Sequence, residues 1–387
     1  MTPDIRLFQV FAFLARLDLW DAVYVLFLLG RGFSLAQYGV LDSLWYAGTL
    51  LFEVPTGALT DRYGKRISFL LSLFSTSLAF LVIASTRSFF VMSAAFALWG
   101  FASSFETGTY SAFLFDSLKE LNSESAYERL FGRVTTLQIL ASALGGVIAG
   151  YLAGIDLSLP ILGTALISLL LCPLVLLFRE PRVASARDLN FRLHIRESVR
   201  YIWDRPLVAA LLGYGAIMGA ALWALRIFYQ PLLRSSGAPV QVIGLSYVAF
   251  KLLAAAGAHV SHSIHRRLGV IVVYIIPLGL AIAVLALGFV VTPVILSLIL
   301  VVFFIEGLYQ PIVSALLNQN VPSCKRATII SLGSFVSCGI SLLVNTPLGW
   351  IGDALSLRAA FQVIGMGILS CMGLLFLFVR REAWAQL

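Results

Sequence analysis

The sequence predicts an all-α integral membrane protein with twelve transmembrane helices and both termini on the cytoplasmic side. Of its 387 residues, 60% are hydrophobic and 12% are charged, and the mean hydropathy is +0.94. This composition leaves too little polar surface to cover a soluble body of that size. The apolar runs are unbroken and long enough for helices, which need about 20 residues to cross a bilayer. Membrane β-strands are excluded, because they run for about ten residues and alternate in polarity.

Twelve apolar runs follow one another along the chain, although glycine or proline interrupts several of them. They are centred near residues 18, 48, 76, 102, 143, 168, 219, 251, 281, 306, 338 and 369. A polar interruption divides them six from six. We therefore expect six N-terminal helices in residues 1–178, a cytoplasmic linker in residues 179–205 and six C-terminal helices in residues 206–387.

The distribution of lysine and arginine predicts the orientation, because basic residues favour cytoplasmic loops. With a cytoplasmic N-terminus, 20 of the 27 basic residues fall on the cytoplasmic side. The others are Arg31, Arg87, Arg234 and Arg358 on the outer side, and Arg16, Arg226 and Lys251 within the runs. The net charge of +8 thus reflects topology and not nucleic-acid binding. We expect a multi-pass protein of the inner or plasma membrane, with the lipid bilayer as its surroundings.

The linker carries an amphipathic pattern. Its apolar residues at helical spacing are Phe191, Ile195, Val199 and Ile202, and the arginines beside them are Arg192, Arg196 and Arg200. The pattern indicates a helix on the anionic inner membrane surface, to which each arginine is attracted by about 1 kcal/mol. A plain connecting segment is the alternative, and both descriptions can hold.

A short charged turn, residues 57–66 with the sequence GALTDRYGKR, joins the second and third runs. Gly57 allows two helix backbones to approach closely, and Gly64 supplies the backbone freedom that a tight reversal needs. Asp61 can pair with a neighbouring base or face the positive end of a helix. The charged residues of the turn are Asp61, Arg62, Lys65 and Arg66.

This turn resembles the G-x-L-x-D-R-x-G-R/K-K/R signature of the major facilitator superfamily of secondary transporters, with Lys65 where arginine is commonest. The resemblance implies that each group of six helices forms a bundle. It also implies that helices 1, 4, 7 and 10 line a central cavity. The turn would then be a latch between the bundles that breaks and reforms as the cavity changes side. The residues that the resemblance implies for this cytoplasmic gate are Gly57, Asp61, Arg62, Gly64, Lys65 and Arg66, extended by Asp116 and Arg133, for which ordinary loop capping is the alternative. A solvated loop that only fixes topology is the alternative.

Charged side chains lie inside the apolar runs, where each costs about 3 kcal/mol or more if it faces lipid. They are Arg16, Asp18 and Asp21 in the first run, Glu53 in the second, Glu106 in the fourth, Arg226 in the seventh, Lys251 in the eighth and Glu306 in the tenth. Each should therefore face a cavity or a partner. All four runs that the resemblance places around the cavity carry a charge.

A carboxylate that titrates near neutral pH can bind a proton on one side of a membrane and release it on the other. The carboxylates expected to couple transport to protons are Asp18, Asp21, Glu106 and Glu306. The residues expected to line the substrate cavity are Arg16, Trp20, Tyr24, Tyr110, Trp223, Arg226, Lys251, Tyr309 and Gln310. The cations would be counter-charges or would bind an acidic substrate group, whereas static ion pairs are the alternative for each charge.

Export of an amphipathic small organic molecule against protons is the first expectation. It rests on the cavity carboxylates, the aromatic lining and residues 141–146, ASALGG, which resemble the end of the G-P-x-x-G-G motif of proton-coupled antiporters. The Gly-Pro pair is replaced there, so the small residues also suit a packing seam. Proton-driven uptake of a small solute and a non-transporting membrane sensor are the alternatives.

Enzymatic functions are not indicated. The turn is no phosphate-binding loop, because Gly57 and Gly64 are too far apart and Arg66 stands where Ser or Thr is required. The four cysteines are widely spaced, and neither they nor His259 and His262 form a metal-ligand pattern. We expect no cofactor and no metal, a small-molecule substrate and protons as partners, and a monomer.

Overall fold

The computed structural model describes residues 3–106, 109–123, 126–181, 191–290 and 294–378, and its regular structure within these ranges is entirely helical. Inside the helices, the side chains of residues 3, 54, 61, 128, 191–195, 323–324 and 326–327 are outside the description. The all-α prediction is confirmed for this part of the chain.

The helices follow the predicted runs in order. Their bounds are α1 Pro3–Ala15, α2 Tyr24–Gly30, α3 Leu35–Tyr63, α4 Lys65–Ser85, α5 Phe89–Glu106, α6 Thr109–Glu120, α7 Tyr127–Ile155, α8 Ser158–Leu176, α9 Phe191–Trp203, α10 Pro206–Ser235, α11 Val240–Leu268, α12 Ile271–Leu287, α13 Val294–Asn320, α14 Ser323–Ala354 and α15 Leu357–Phe378. The first predicted run contains α1 and α2, the fourth contains α5 and α6, and the linker contains α9.

Within the described ranges, nine segments are long and apolar enough to cross a membrane. They are Lys65–Ser85, Phe89–Glu120, Arg129–Ile155, Ser158–Leu176, Pro206–Ser235, Val240–Leu268, Val294–Asn320, Thr328–Ala354 and Leu357–Leu377. The helix α12 is apolar but shorter. The count of twelve crossings and the side on which the termini lie stay predictions.

The chain forms two compact units. Unit 1 comprises Met1–Ala186 and Ala238–Val248, and unit 2 comprises Arg187–Gly237 and Ala249–Leu387. The first turns of α11 therefore pack with unit 1 and the rest of α11 with unit 2. The predicted boundaries of the two bundles and the linker stay predictions.

An aromatic core holds the N-terminal helices of unit 1 together. Phe8 and Phe11 of α1 are buried against Phe69 of α4, Phe113 of α6 and Phe178, with ring centroids 5.1 to 6.4 Å apart. Burial of each ring contributes about 1.5–3 kcal/mol relative to exposure. This core positions α1 just before the charged segment of the first run.

Small residues allow helices to cross closely in both units. In unit 1, a Cβ atom on Gly48 of α3 would lie 2.7 Å from the carbonyl oxygen of Ala97 in α5. In unit 2, a Cβ atom on Gly307 of α13 would overlap the carbonyl oxygen of Ala254 in α11. Any side chain at either glycine would push the two backbones apart, as expected for helices that pack through small residues.

The small residues of α7 form the predicted packing seam. A Cβ atom on Gly145 would lie 2.9 Å from the carbonyl oxygen of Leu17, in the charged segment of the first run. One turn further, Gly150 packs against Gly244 of α11, where a Cβ on Gly244 would lie 2.5 Å from the Cα of Gly150. The seam thus holds both the charged segment and the start of α11 within unit 1.

Candidate functional site

The first run is broken where its charges lie. Residues 16–23 are not α-helical, and their backbone bonds close short turns, such as the one from Asp21 N to the carbonyl of Asp18 at 3.3 Å. Arg16 lies 3.7 Å from Asp18 in an ion pair. Residues two apart cannot face each other on an α-helix. The expectation of one continuous first helix is therefore wrong here, and the break is compatible with this pair.

Asp21 is held by a residue from a distant part of the sequence. The hydroxyl of Tyr247 in α11 donates a hydrogen bond to Oδ2 of Asp21, and it also lies 3.1 Å from the hydroxyl of Ser142 in α7. The ring is 4% exposed and fits against Gly146, where a Cβ atom would lie 2.7 Å from the ring. Sequence reasoning missed Tyr247. The only usable signal was the run of small residues in α7, such as Gly146, which leaves room for a large neighbouring side chain.

The carboxylate of Glu106 has a hydroxyl partner. Ser72 of α4 donates its hydroxyl hydrogen to Oε1 of Glu106 at 3.1 Å. Tyr110 follows in α6, where its ring stacks on Phe11 with centroids 5.7 Å apart. Tyr110 therefore packs at the edge of the aromatic core of unit 1, and its expected role in the cavity stays a prediction.

Trp20 and Tyr24 belong to an aromatic group with a buried acid at its end. The ring of Trp20 lies 4.9 Å from Tyr24 and 4.5 Å from Trp99. The hydroxyl of Tyr24 lies 2.8 Å from that of Tyr38, which in turn donates to Oδ1 of Asp42 at 3.2 Å. Because Tyr38 uses its proton on Asp42, Tyr24 is the donor to Tyr38. Sequence reasoning missed Asp42, which is 4% exposed, although its charge inside the second run was a usable signal.

In unit 2, Arg226 of α10 and Glu306 of α13 form an ion pair. Nη2 of Arg226 donates to Oε1 of Glu306, and the side chains are 27% and 11% exposed. Oε2 of Glu306 is buried and accepts no hydrogen bond from the residues that the structure describes. The guanidinium carbon also lies 5.8 Å from the ring centroid of Phe303, which suits a cation–π contact. Oε1 of this carboxylate thus has a hydrogen-bond partner, whereas Oε2 has none among the described residues. We call Oε2 the open oxygen of Glu306.

The remaining predicted cavity residues of unit 2 differ in their surroundings. The hydroxyl of Tyr309 donates to the carbonyl oxygen of Gly215 at 3.4 Å. Trp223 and Lys251 are half-buried, whereas Gln310 is exposed. The structure therefore brings Arg226 and Glu306 together, and the roles of the other side chains stay predictions.

The predicted gate contains an ion pair and an unforeseen cap. Nζ of Lys65 contacts Oδ2 of Asp116. The two oxygens of Glu180 accept hydrogen bonds from the backbone N–H groups of Lys65 and Arg66, at 2.7 and 2.8 Å. Glu180 thereby caps the start of α4, where the helix dipole favours a negative charge. Gly64 has a φ of 93°, and a Cβ atom there would lie 2.7 Å from Glu180, so only glycine suits this turn.

Gly57 is placed differently from the prediction, and the roles of the other gate residues stay predictions. No described atom lies within 4 Å of a Cβ on Gly57, so the close helix approach expected there is found instead at Gly48. The guanidinium of Arg62 lies 5.3 Å from the ring of Tyr63, and Arg133 is exposed. Asp61 lies in α3, but its side chain is outside the described residues.

Metal-ligating side chains are dispersed in the described part of the chain, where no three of His, Cys, Asp or Glu come together around a possible metal ion. The chemistry of the sites is therefore that of carboxylates with hydroxyl or guanidinium partners. Such groups bind protons and polar ligands.

Comparison with known proteins adds a family and a fold. The model of the Major Facilitator Superfamily matches residues 10–345. The uncharacterized MFS-type transporter YxaM of Bacillus subtilis (strain 168) is 23% identical over 373 residues, which are 91% of this chain and 90% of YxaM. The tetracycline resistance protein, class C, of Escherichia coli is 28% identical over 246 residues, 60% of this chain and 59% of that protein. The solved structure of the nucleoside transporter NupG matches with a TM-score of 0.82 at 13% identity, over 98% of this chain and 100% of NupG.

Proposed function

Because the chain belongs to the Major Facilitator Superfamily, a family of multi-pass membrane transporters, we propose that it exports an amphipathic small organic molecule in exchange for protons. Transport would proceed by alternating access to a site near the middle of the bilayer. The proposal includes twelve membrane crossings in two six-helix bundles, cytoplasmic termini, a place in the inner or plasma membrane and a monomeric state.

The ion pair between Arg226 and Glu306 carries this proposal. A buried ion pair is weak evidence for stability, because removing both charges from water costs several kcal/mol per ion. Charges inside a membrane protein are therefore usually retained for function. The open oxygen of Glu306 can accept a proton or a hydrogen-bond donor of a substrate. Protonation would weaken the bond to Arg226, and the guanidinium could then bind an acceptor group of the substrate.

The carboxylates of unit 1 supply further proton sites. Asp21 receives the hydrogen bond of Tyr247, Glu106 receives that of Ser72, and Asp18 pairs with Arg16. We propose that Asp18, Asp21, Glu106 and Glu306 form the coupling set, although the four act in different surroundings.

The direction of transport is inferred from one relative. The relative is named for resistance to tetracycline, an amphipathic organic molecule, and resistance is compatible with export of the drug. Its similarity over 60% of this chain therefore favours export. Uptake by proton symport is the second candidate, because the open oxygen of Glu306 can bind a proton in either direction. A non-transporting sensor remains the least supported alternative.

The proposal is tested with the purified protein in proteoliposomes that hold an acidic interior and a pH-sensitive dye. Cationic, neutral and anionic amphiphiles, tetracycline among them, are added in turn. Proton antiport predicts that one class collapses the gradient and that Glu306→Gln abolishes the collapse. Glu53→Gln is the matched control, because Glu53 is an exposed acid of α3, and it should retain activity.

Two results would contradict the proposal. Loss of the gradient at the same rate in the Glu306→Gln protein would exclude Glu306 from coupling. No response to any amphiphile, together with proton-driven accumulation of a nutrient such as a nucleoside or sugar, would establish uptake in place of export.

A further inference from the structure

Within unit 2, one face of the linker helix α9 packs against the end of α13 and the start of α14. Ser198 is fully buried, and the hydroxyl of Tyr201 donates to the backbone carbonyl of Asn320 at 3.0 Å. Glu197 pairs with Lys325 at 3.5 Å. Asn320 ends α13 and Lys325 lies in the first turn of α14. The inner face of α9 therefore holds the connection between these two helices.

The opposite face of α9 is both basic and apolar. Arg196, Val199, Arg200 and Trp203 follow one another at spacings of three, one and three residues, which places them on one side of the helix. Val199 is 46% exposed, Trp203 is 86% exposed, and the side chain of Arg200 is 84% exposed. Arg196 is exposed as well. We call these four residues the outer face of α9.

The outer face lies close to the membrane by the connectivity of the chain. Only Asp204 and Arg205 separate Trp203 from Pro206, where the candidate membrane span α10 begins. The three residue steps from Trp203 to Pro206 span at most about 11 Å. Tryptophan is enriched at the level of lipid headgroups, where its ring is half in the apolar layer. Arginine beside it matches the phosphates of anionic lipids.

We propose that the outer face of α9 binds the headgroups of anionic lipids and so anchors the connection of α13 and α14 to the membrane surface. Arg200 pairs with Asp204, whose carboxylate lies 3.8 Å from Nε of Arg200. A pair this exposed is weak, so a lipid phosphate can displace it. Arg196 and Arg200 together outweigh this single acid, and the face keeps a positive charge.

The test measures the depth and headgroup preference of Trp203 in the full-length protein. The protein is reconstituted in phosphatidylcholine vesicles that contain brominated phosphatidylglycerol or brominated phosphatidylcholine, both of which quench tryptophan on contact. The fluorescence difference between wild type and Trp203→Phe isolates the signal of Trp203. We expect stronger quenching by the phosphatidylglycerol lipid and a weaker preference at high salt, where charges are screened.

The double variant Arg196→Gln/Arg200→Gln should lose this preference. Its relative affinity for phosphatidylglycerol should fall about thirty-fold, which corresponds to about 2 kcal/mol for two arginines. The matched control Arg266→Gln/Arg267→Gln removes two exposed charges at the end of α11 and should leave the preference unchanged. Equal quenching by both lipids in wild type, no signal from Trp203, or a preference that survives in the double variant would each overturn the proposal.

Discussion

The cap that Glu180 forms on α4 leads to a quantitative prediction. Replacing Glu180 with alanine removes both acceptors of the N–H groups of Lys65 and Arg66, which lie 2.7 and 2.8 Å from its oxygens. The first turn of α4 would then have two N–H groups without a protein partner, at the point where Gly64 reverses the chain. We expect this turn to open more often, while the rest of the helix stays folded.

The magnitude follows from the number and kind of bonds lost. A hydrogen bond to a charged group contributes about 1.5–3 kcal/mol, and the partial exposure of Glu180 favours the lower end of that range. Two such bonds give about 3 kcal/mol, which raises the population of the open turn about 100-fold. Glu180→Gln keeps one carbonyl oxygen as acceptor and should raise it about tenfold.

Hydrogen exchange at the amide of Ser68, which is bonded to the carbonyl oxygen of Gly64 in this turn, measures the opening, because exchange tracks the local opening equilibrium. Glu53→Ala is the control, since Glu53 is an exposed acid of the neighbouring helix α3. Exchange that is unchanged in Glu180→Ala would refute the capping role. Equally faster exchange over the whole of α4 would show general destabilisation in place of a lost cap.

Two further predictions concern stability. Gly307→Ala should lower the free energy of unfolding by about 1–3 kcal/mol, because its methyl group would overlap a backbone carbonyl. In the control Gly367→Ala the methyl group would meet no described atom within 4 Å, and because alanine favours a helix interior by about 0.5–1 kcal/mol, this variant should be at least as stable as wild type. Thermal unfolding in detergent compares the two. The pKa of Asp156, in the connection before α8, is lowered below its ordinary 3.8, first by the hydrogen bond from the backbone N–H of Ser158 at 2.6 Å. This stabilisation is complete above pH 3.8 and is lost as the pH falls through the lowered pKa. The difference in unfolding free energy between wild type and Asp156→Ala should therefore disappear in that pH window. An advantage that is unchanged down to the lowest pH would contradict it.

The helices could be predicted from the sequence because the hydrophobic pattern is local. A run of about 20 apolar residues forms a helix in a membrane whatever its neighbours are, since every backbone group must be bonded within the segment. The family resemblance rested on the same kind of local signal in residues 57–66. The break at residues 16–23 was missed, because hydropathy averaged over a whole run does not show short turns within it. The Arg16–Asp18 ion pair lies in these turns.

The partners of the charged groups could not be predicted, because they come from distant parts of the chain. Tyr247 reaches Asp21 across 226 positions, and Glu180 reaches Lys65 across 115. A single sequence contains no signal for such pairs. Two pairs were expected in one region, Lys65 with Asp116 in the gate and Arg226 with Glu306 in the cavity, and the structure brings each pair into contact.

The partners of the carboxylates also determine what protonation can do. Glu106 is bonded to the hydroxyl of Ser72, and a hydroxyl can donate to a carboxylate or accept from a carboxylic acid, so that contact survives protonation. Arg226 can only donate, and protonation of Glu306 would remove the charge attraction between α10 and α13, while the carbonyl oxygen of the neutral acid could still accept one weaker hydrogen bond. Protonation would therefore leave the hydroxyl partner of Glu106 in place but weaken the contact that Glu306 makes between two helices of unit 2. We infer that Glu306 is the better candidate for linking proton binding to helix movement.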